Sequence, residues 1–172
     1  AIPEGTPNVR LADPTLGTAF SIAFSADGSL LAVGGGGNAV VFDAATGERV
    51  GNPIVLRDNR FATVTVGFTP GGRLVAAAWV VGQLVVVEPR TGVTMASVTR
   101  PFSSAVLSPD GQELVLGTPE GAIEILDAET LSTVEPARSV LSGAVIATGV
   151  SADGDRVVVV GEDRARLVDR RD

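Results

Sequence analysis

The chain has 172 residues, of which 45% are apolar, and a net charge of −7 at pH 7. This length and apolar content predict one domain with a packed core, and the negative charge disfavours non-specific binding to nucleic acids or anionic membranes. Cysteine and histidine are both missing, which excludes disulfides, thiolate metal sites and the commonest general base.

The same composition guides the expectations on cofactors and source. We expect no cofactor and no metal ion, because the side chains that most often bind them are missing. All 13 basic residues are arginine, which fits coding bias in a GC-rich bacterial genome. The lack of cysteine fits a cytoplasmic protein, and no apolar run reaches the ~18 residues of a membrane helix.

The first element in chain order is the stretch 5–13, whose sequence resembles residues 51–58. Residues 53–57 read as the last strand of the repeat that precedes them. We therefore predict a strand over about residues 7–13, which supplies a last strand to a different repeat.

A tetrapeptide then recurs along the chain at intervals of about 40–45 residues. Each copy follows a run of small residues and precedes a strongly apolar run, and Asp-Gly or Pro-Gly at such a place predicts a hairpin turn between two strands. The four copies are Ser25–Gly28, Thr69–Gly72, Ser108–Gly111 and Ser151–Gly154.

A second element ends an apolar strand on an acidic residue and turns, in two copies through Thr-Gly, toward a further strand. The strand-ending dipeptides are Phe42-Asp43, Val87-Glu88, Leu126-Asp127 and Val168-Asp169. No window shows a sustained period of 3.6 residues, so we predict essentially no helix.

Four short strands in each repeat, with Ser-Pro-Asp-Gly and Asp-x-x-Thr-Gly turns, resemble the WD40 repeats of bacterial proteins. The resemblance covers nearly the whole chain and implies an all-β fold, a β-propeller built from four-stranded antiparallel blades. The implied repeats span about residues 18–58, 62–100, 103–140 and 144–172. The family's Trp-Asp dipeptide keeps only its acid here, and its Gly-His dipeptide cannot occur, so these blades must rely on aliphatic packing and turn chemistry.

Closure of the ring is open in three ways. The strand predicted at residues 7–13 completes the last blade of its own chain in a four-bladed ring, or that of a second chain in an eight-bladed ring. In the third case the chain is half of a larger propeller. We favour two chains that form one ring, because the resemblance implies a seven- or eight-bladed ring, and two-fold assemblies are also the commonest oligomers.

Three patterns that carry chemistry in other proteins read here as structure. The glycine run at 34–37 precedes a strand and has no P-loop lysine, which argues against a phosphate site. The acids of Ser151–Asp155 are too few for calcium. The recurring acids at strand ends occupy turn positions, where a carboxylate accepts backbone hydrogen bonds.

A candidate partner-binding surface comes from the blade plan. Trp79 replaces smaller or polar residues at the end of a second strand, toward the face that binds partners in WD40 proteins, and an exposed Trp there would be a hot spot. The blade-connecting loops add Arg60, Phe61, Arg100 and Phe102, although the aromatic residues could equally pack between blades. The sequence favours a non-catalytic protein-interaction or scaffold module that self-assembles. The alternative is a small-molecule-binding or enzymatic propeller with a central-channel site.

Overall fold

A computed structural model of the chain describes residues 11–56 and 64–170, with the side chain of Val80 left out. The strands form four antiparallel sheets that follow one another along the chain. Sheet 1 contains β1 (Ala19–Phe24), β2 (Leu30–Gly35), β3 (Asn38–Asp43) and β4 (Arg49–Val55). Sheet 2 contains β5 (Val64–Phe68), β6 (Leu74–Ala78), β7 (Gln83–Val87) and β8 (Thr94–Thr99).

The second half of the chain repeats this arrangement with one strand fewer. Sheet 3 contains β9 (Ser104–Leu107), β10 (Glu113–Gly117), β11 (Ala122–Asp127) and β12 (Thr133–Ser139), and sheet 4 contains β13 (Ala147–Val150), β14 (Arg156–Val160) and β15 (Ala165–Asp169). Each sheet is ordered as its strands occur in the sequence. The predicted strand at 7–13 lies mostly outside the described residues, and residues 11–13 are not in a strand.

The recurring tetrapeptides form the turns between the first two strands of each sheet. Their final glycines, Gly28, Gly72, Gly111 and Gly154, all have φ between 70° and 77°, a conformation that glycine adopts without steric cost. Within the glycine run at 34–37, Gly34 and Gly35 belong to β2, and Gly36 and Gly37 turn the chain into β3.

The core lies between neighbouring sheets, where three hydrophobic clusters join sheet 1 to sheet 2, sheet 2 to sheet 3 and sheet 3 to sheet 4. The second strands show why: all five residues of β6 are buried, so alternate side chains fill the cluster on either side. A fourth cluster covers one face of sheet 1 with Leu11 and Leu16 from the preceding segment. Among the described residues, no cluster joins sheet 4 to sheet 1.

Two local expectations need correction. Trp79 does not end the second strand of sheet 2, because β6 stops at Ala78 and Trp79 opens a 3-10 turn, Trp79–Val81. The last strand of sheet 1 also begins earlier than the sequence suggested, at Arg49. The described residues contain no α-helix, as predicted.

Gly34 lies where sheets 1 and 2 approach each other closely, so a substitution there tests their packing. A Cβ atom at Gly34 would collide with the Val64 carbonyl oxygen and lie 3.0 Å from Val66 Cγ1. We expect Gly34→Ala to lower the free energy of unfolding by about 1–3 kcal/mol in chemical denaturation, because overpacking forces the sheets apart. Gly143→Ala is the matched control, since a Cβ there meets nothing within 4 Å. Equal stability of the two variants would contradict this packing.

Candidate protein-interaction surface

The loops at one end of the sheets form the surface on which the sequence places its candidate residues. We call this end the loop face; it consists of the β2–β3, β6–β7, β10–β11 and β14–β15 loops and the connections from sheet 2 to sheet 3 and from sheet 3 to sheet 4. Backbone hydrogen bonds join the two kinds of segment: Arg100 N–H donates to Gly82 O over 2.8 Å, and Val145 N–H donates to Thr118 O over 3.0 Å. These bonds fix the connections against the loops of the preceding sheet.

Trp79 is a large exposed side chain of the loop face, with 43% of its surface exposed. Its backbone is fixed, because the 3-10 turn ends at Gly82, whose φ of 64° and N–H bond to Trp79 O close the turn. The indole borders two grooves of about 520 and 730 Å³. Ser104, Thr148 and Ile146 line the first groove, and Val81, Pro101 and Pro119 line the second.

Arg100 lies beside the second groove but is committed to a contact within the molecule. Its Nη1 forms an ion pair with Glu124 Oε1, and only 24% of its side chain is exposed. Arg100 therefore lines this groove while its guanidinium is held by Glu124.

Phe102 is 3% exposed and belongs to the cluster between sheets 2 and 3. This corrects its expected place on a partner-binding surface: apolar packing between the sheets takes up its ring, and a partner cannot reach most of it. Arg60 and Phe61 lie outside the described residues, and their role stays a prediction.

The acids at the strand ends occupy backbone turns. Asp43 Oδ1 accepts the N–H groups of Ala45 and Thr46 over 3.0 and 2.8 Å, and Asp127 makes the same pair of bonds with Glu129 and Thr130. Hydrogen bonds from the Thr46 backbone lower the pKa of Asp43, and those from the Thr130 hydroxyl lower the pKa of Asp127. Both groups are stabilised as carboxylates, which suits turns and does not suit a general acid.

The tetrapeptide turns carry a second set of carboxylates. In the first copy the Ser25 hydroxyl donates to Asp27 Oδ1 over 2.6 Å, and Ser25 Oγ accepts Leu30 N–H over 2.9 Å. The hydrogen bond from Ser25, with two from Ser29, lowers the pKa of Asp27 to about 2. The third and fourth copies repeat this geometry with Ser108–Asp110 and Ser151–Asp153, and both aspartates have lowered pKa values for the same reason.

The second copy has Gly71 where the others have aspartate, and a neighbouring sheet supplies the missing carboxylate. The Thr69 hydroxyl donates to Glu129 Oε1 over 2.5 Å, and Arg73 Nη1 lies 2.6 Å from Glu129 Oε2. Glu129 follows β11 of sheet 3. The bond that closes a turn in the other sheets therefore connects two sheets here.

The terminal sheets expose apolar side chains that sequence reasoning did not single out. Phe20, Ile22 and Phe24 of β1 are 56%, 68% and 61% exposed. At the other end of the chain, Val158 and Leu167 are 38% and 63% exposed. The alternation of residue types along β1 could have indicated that both faces of its sheet are apolar. Whether such a face is exposed depends on which sheets have neighbours.

Among residues 11–56 and 64–170, no cluster of three or more acidic side chains is placed to hold a metal ion. No helix in this part of the chain is long and apolar enough to cross a membrane.

Comparison by sequence finds neither a family model nor a curated protein that matches the chain. Comparison by structure finds the computationally designed protein Ika4, with 20% identity and a TM-score of 0.72 over 96% of this chain and 98% of Ika4. The β-propeller domain of Cps50 (Swd1) from Myceliophteria thermophila is similar at 21% identity and a TM-score of 0.69. A chain of the mitotic checkpoint complex is similar at 19% identity and a TM-score of 0.71.

These identities establish the fold alone. The chain has a β-propeller fold built from antiparallel sheets, and the fold class predicted from the sequence is confirmed. Both natural matches cover 87% of this chain, which spans about half their length, 50% of one and 48% of the other.

The lowered pKa of Asp27 predicts a loss of stability in acid. An unfolded aspartate has a pKa of about 3.9, so the contribution of Asp27 is complete above about pH 4 and is lost as the pH falls through about 2. Urea midpoints of the wild type should fall over this window. Asp27→Asn should be less stable than the wild type at neutral pH and approach it near pH 2. Glu162→Gln, at an exposed position, is the control; a pH-independent effect of Asp27→Asn would contradict the prediction.

The bond from Glu129 predicts coupling between two positions in different sheets. A Cβ atom at Gly71 would lie 2.6 Å from Glu129 Oε1, so Gly71→Asp alone should crowd and repel this carboxylate. Glu129→Ala alone should leave Thr69 and Arg73 without their acceptor. We expect the double variant to be more stable than the sum of the single effects by about 1 kcal/mol, because the introduced aspartate restores the local turn. Additive effects in urea denaturation would contradict the coupling.

Proposed function

We propose that the chain is a non-catalytic protein-interaction or scaffold module that binds a protein partner around Trp79 and self-assembles through its terminal sheets. The observation that carries the first part is the position of Trp79, which is exposed between two grooves on a fixed backbone turn. Trp is enriched among residues that dominate binding energy, and it loses little entropy when its backbone is already fixed.

The surroundings of Trp79 support a protein partner. The second groove combines Pro101, Pro119 and Val81 with a polar rim from Arg100, and an apolar centre with a polar rim is the usual composition of protein interfaces. The structural matches support it as well, since one of them comes from a multi-protein complex.

The alternative of a small-molecule or catalytic site in the central channel has less support. The first groove has a volume suited to a ligand, but the described residues that line it include no charged side chain. Two of its hydroxyls, Ser104 Oγ and Thr148 Oγ1, lie 3.3 Å apart and form a hydrogen bond with each other. The bound carboxylates of the turns and the composition without histidine support a module without catalysis.

Self-assembly is supported by the apolar side chains on the two terminal sheets. Exposed Phe, Ile and Leu side chains on a sheet face favour association, because their burial is worth about 1.5–3 kcal/mol each. These faces lie on sheets 1 and 4, while Trp79 lies on the loop face of sheet 2. Self-assembly and partner binding therefore use different surfaces.

Affinity capture tests the partner-binding role of Trp79. The immobilised wild type, Trp79→Ala and Met95→Ala are each used to capture proteins from a bacterial lysate, and the captured proteins are quantified. We expect at least one protein that the wild type and Met95→Ala retain equally, and that Trp79→Ala retains at least about tenfold less. Met95 is the matched control because it is 51% exposed on β8. Identical capture by all three proteins would contradict the proposed surface.

A further inference from the structure

The three junctions between neighbouring sheets in this molecule are built in the same way. Every sheet has a leading face, which is directed toward the sheet before it in the chain, and a trailing face, which is directed toward the sheet after it. At the junction of sheets 1 and 2, Leu30 and Ala32 lie on the trailing face and Leu74 and Ala76 on the leading face, all in one core cluster. The junctions of sheets 2 and 3 and of sheets 3 and 4 repeat the pattern.

The leading face of sheet 1 has the composition of a junction, but no sheet of the described residues packs on it. Phe20, Ile22 and Phe24 correspond, counted back from the same turn, to Val64, Val66 and Phe68 of sheet 2. The three residues of sheet 2 are 0%, 7% and 8% exposed, and those of sheet 1 are 56%, 68% and 61% exposed.

The trailing face of sheet 4 lacks a following sheet in the same way. Val158 and Leu167 correspond to Val115 and Ile125 of sheet 3 and are 38% and 63% exposed, while their counterparts are 0% and 1% exposed. The inner strand of this face carries Ala147 and Gly149, where sheet 1 has Ser21 and Ala23.

The two open faces also match in shape. At the junction of sheets 2 and 3, the leading-face Leu107 lies against the trailing-face Gly67, where a Cβ atom would be 3.1 Å from Leu107 Cδ2. The residues that correspond to this pair at the two open faces are Phe24 and Gly149. A large leading-face side chain can therefore lie over a trailing-face glycine, as it does inside the chain.

A chain does not bring its own two open faces together in this structure. No core cluster of the described residues contains side chains of both sheet 1 and sheet 4. The β1 side chains of one face and the Val158 and Leu167 side chains of the other are exposed. A second copy offers each face its complement.

We propose that the occupant of both open faces is a second copy of this chain: the leading face of sheet 1 in each copy packs on the trailing face of sheet 4 in the other. This inference rests on the self-assembly put forward above and names its surfaces. The two junctions are related by a two-fold axis, and the eight sheets of two chains form one closed ring. Closure leaves neither face exposed, which ends the assembly at two chains.

The segment before β1 fits this arrangement. Leu11 and Leu16 pack on the leading face of sheet 1, and Asp13 Oδ2 lies 2.8 Å from Arg49 Nη1 on β4. The chain thus enters sheet 1 along the junction to which the second copy brings its sheet 4.

Solution mass measured by analytical ultracentrifugation tests the pairing. We expect the wild type to sediment at twice its chain mass of 17.4 kDa. Ile22→Glu on the leading face and Leu167→Glu on the trailing face should each weaken association at least about 100-fold, because both junctions then bury an unpaired carboxylate. Met95→Glu is the matched control, exposed to 51% on β8, and should stay dimeric. Circular dichroism confirms that each variant is folded.

A mixture of the two variants separates this pairing from other dimers. Ile22→Glu retains an intact trailing face and Leu167→Glu an intact leading face, so one normal junction forms between them. The mixture should therefore contain a heterodimer, weaker than the wild-type dimer, under conditions where each variant alone is monomeric.

Each other outcome overturns the inference in an identifiable way. A wild-type dimer that both substitutions leave intact, or that only one of them dissociates, would overturn the pairing of these faces and leave self-assembly standing. A wild type that is monomeric up to its solubility limit would overturn the pairing and self-assembly together. Neither result affects the capture experiment on Trp79, which tests a different surface.

Discussion

Apolar burial on both faces of every sheet is the constraint on which the rest of this structure depends. Strands such as β2 and β6 carry buried side chains on both faces of their sheets. A sheet therefore cannot bury all of its apolar surface against only one neighbour. Each buried Leu or Val side chain contributes about 1.5–3 kcal/mol to stability. A sheet with both faces covered gains this contribution on each face. The stacking of sheets in chain order follows from this requirement, and so does the exposure at the two ends of the stack.

Most of the turn aspartates in this fold form their hydrogen bonds close to where they occur in the sequence. The serine and aspartate of a tetrapeptide form hydrogen bonds with each other and with the backbone that follows, as Ser25 and Asp27 do. The strand-end aspartates accept hydrogen bonds from the backbone of the next turn. Such bonds need no buried histidine or tryptophan. The chain can therefore form the antiparallel sheets of a β-propeller with an aliphatic interior.

The sequence predicted the fold well because its strongest signals are local. Asp-Gly between apolar runs determines a turn, and the glycine angles at Gly28 and Gly111 agree with that reasoning. One turn position departs from it: Leu131 adopts φ of 58° where Gly47 and Gly92 stand in sheets 1 and 2. Its side chain is 4% exposed between sheets 2 and 3, and this tertiary packing, which the local sequence does not reveal, offsets the backbone strain.

The candidate surface was predicted less completely, because exposure depends on distant parts of the chain. The motif around Phe102 does not show that a neighbouring sheet covers its ring, while the 3-10 turn leaves Trp79 outside. Phe24 and Phe68 occupy equivalent positions and differ by 61% against 8% exposure. Only the number of neighbouring sheets distinguishes them, and no sequence window contains that number.

The hydrogen bond from the turn of sheet 2 to Glu129 of sheet 3 limits how the repeats can be duplicated or exchanged. In the other three turns the repeat is self-sufficient, so duplication or exchange of one unit would keep its bonds. Sheet 2 is different, because Gly71 leaves its turn incomplete unless sheet 3 follows it. An exchange that separated sheets 2 and 3, or reversed their order, would therefore break a bond that the turns of the other three sheets do not need.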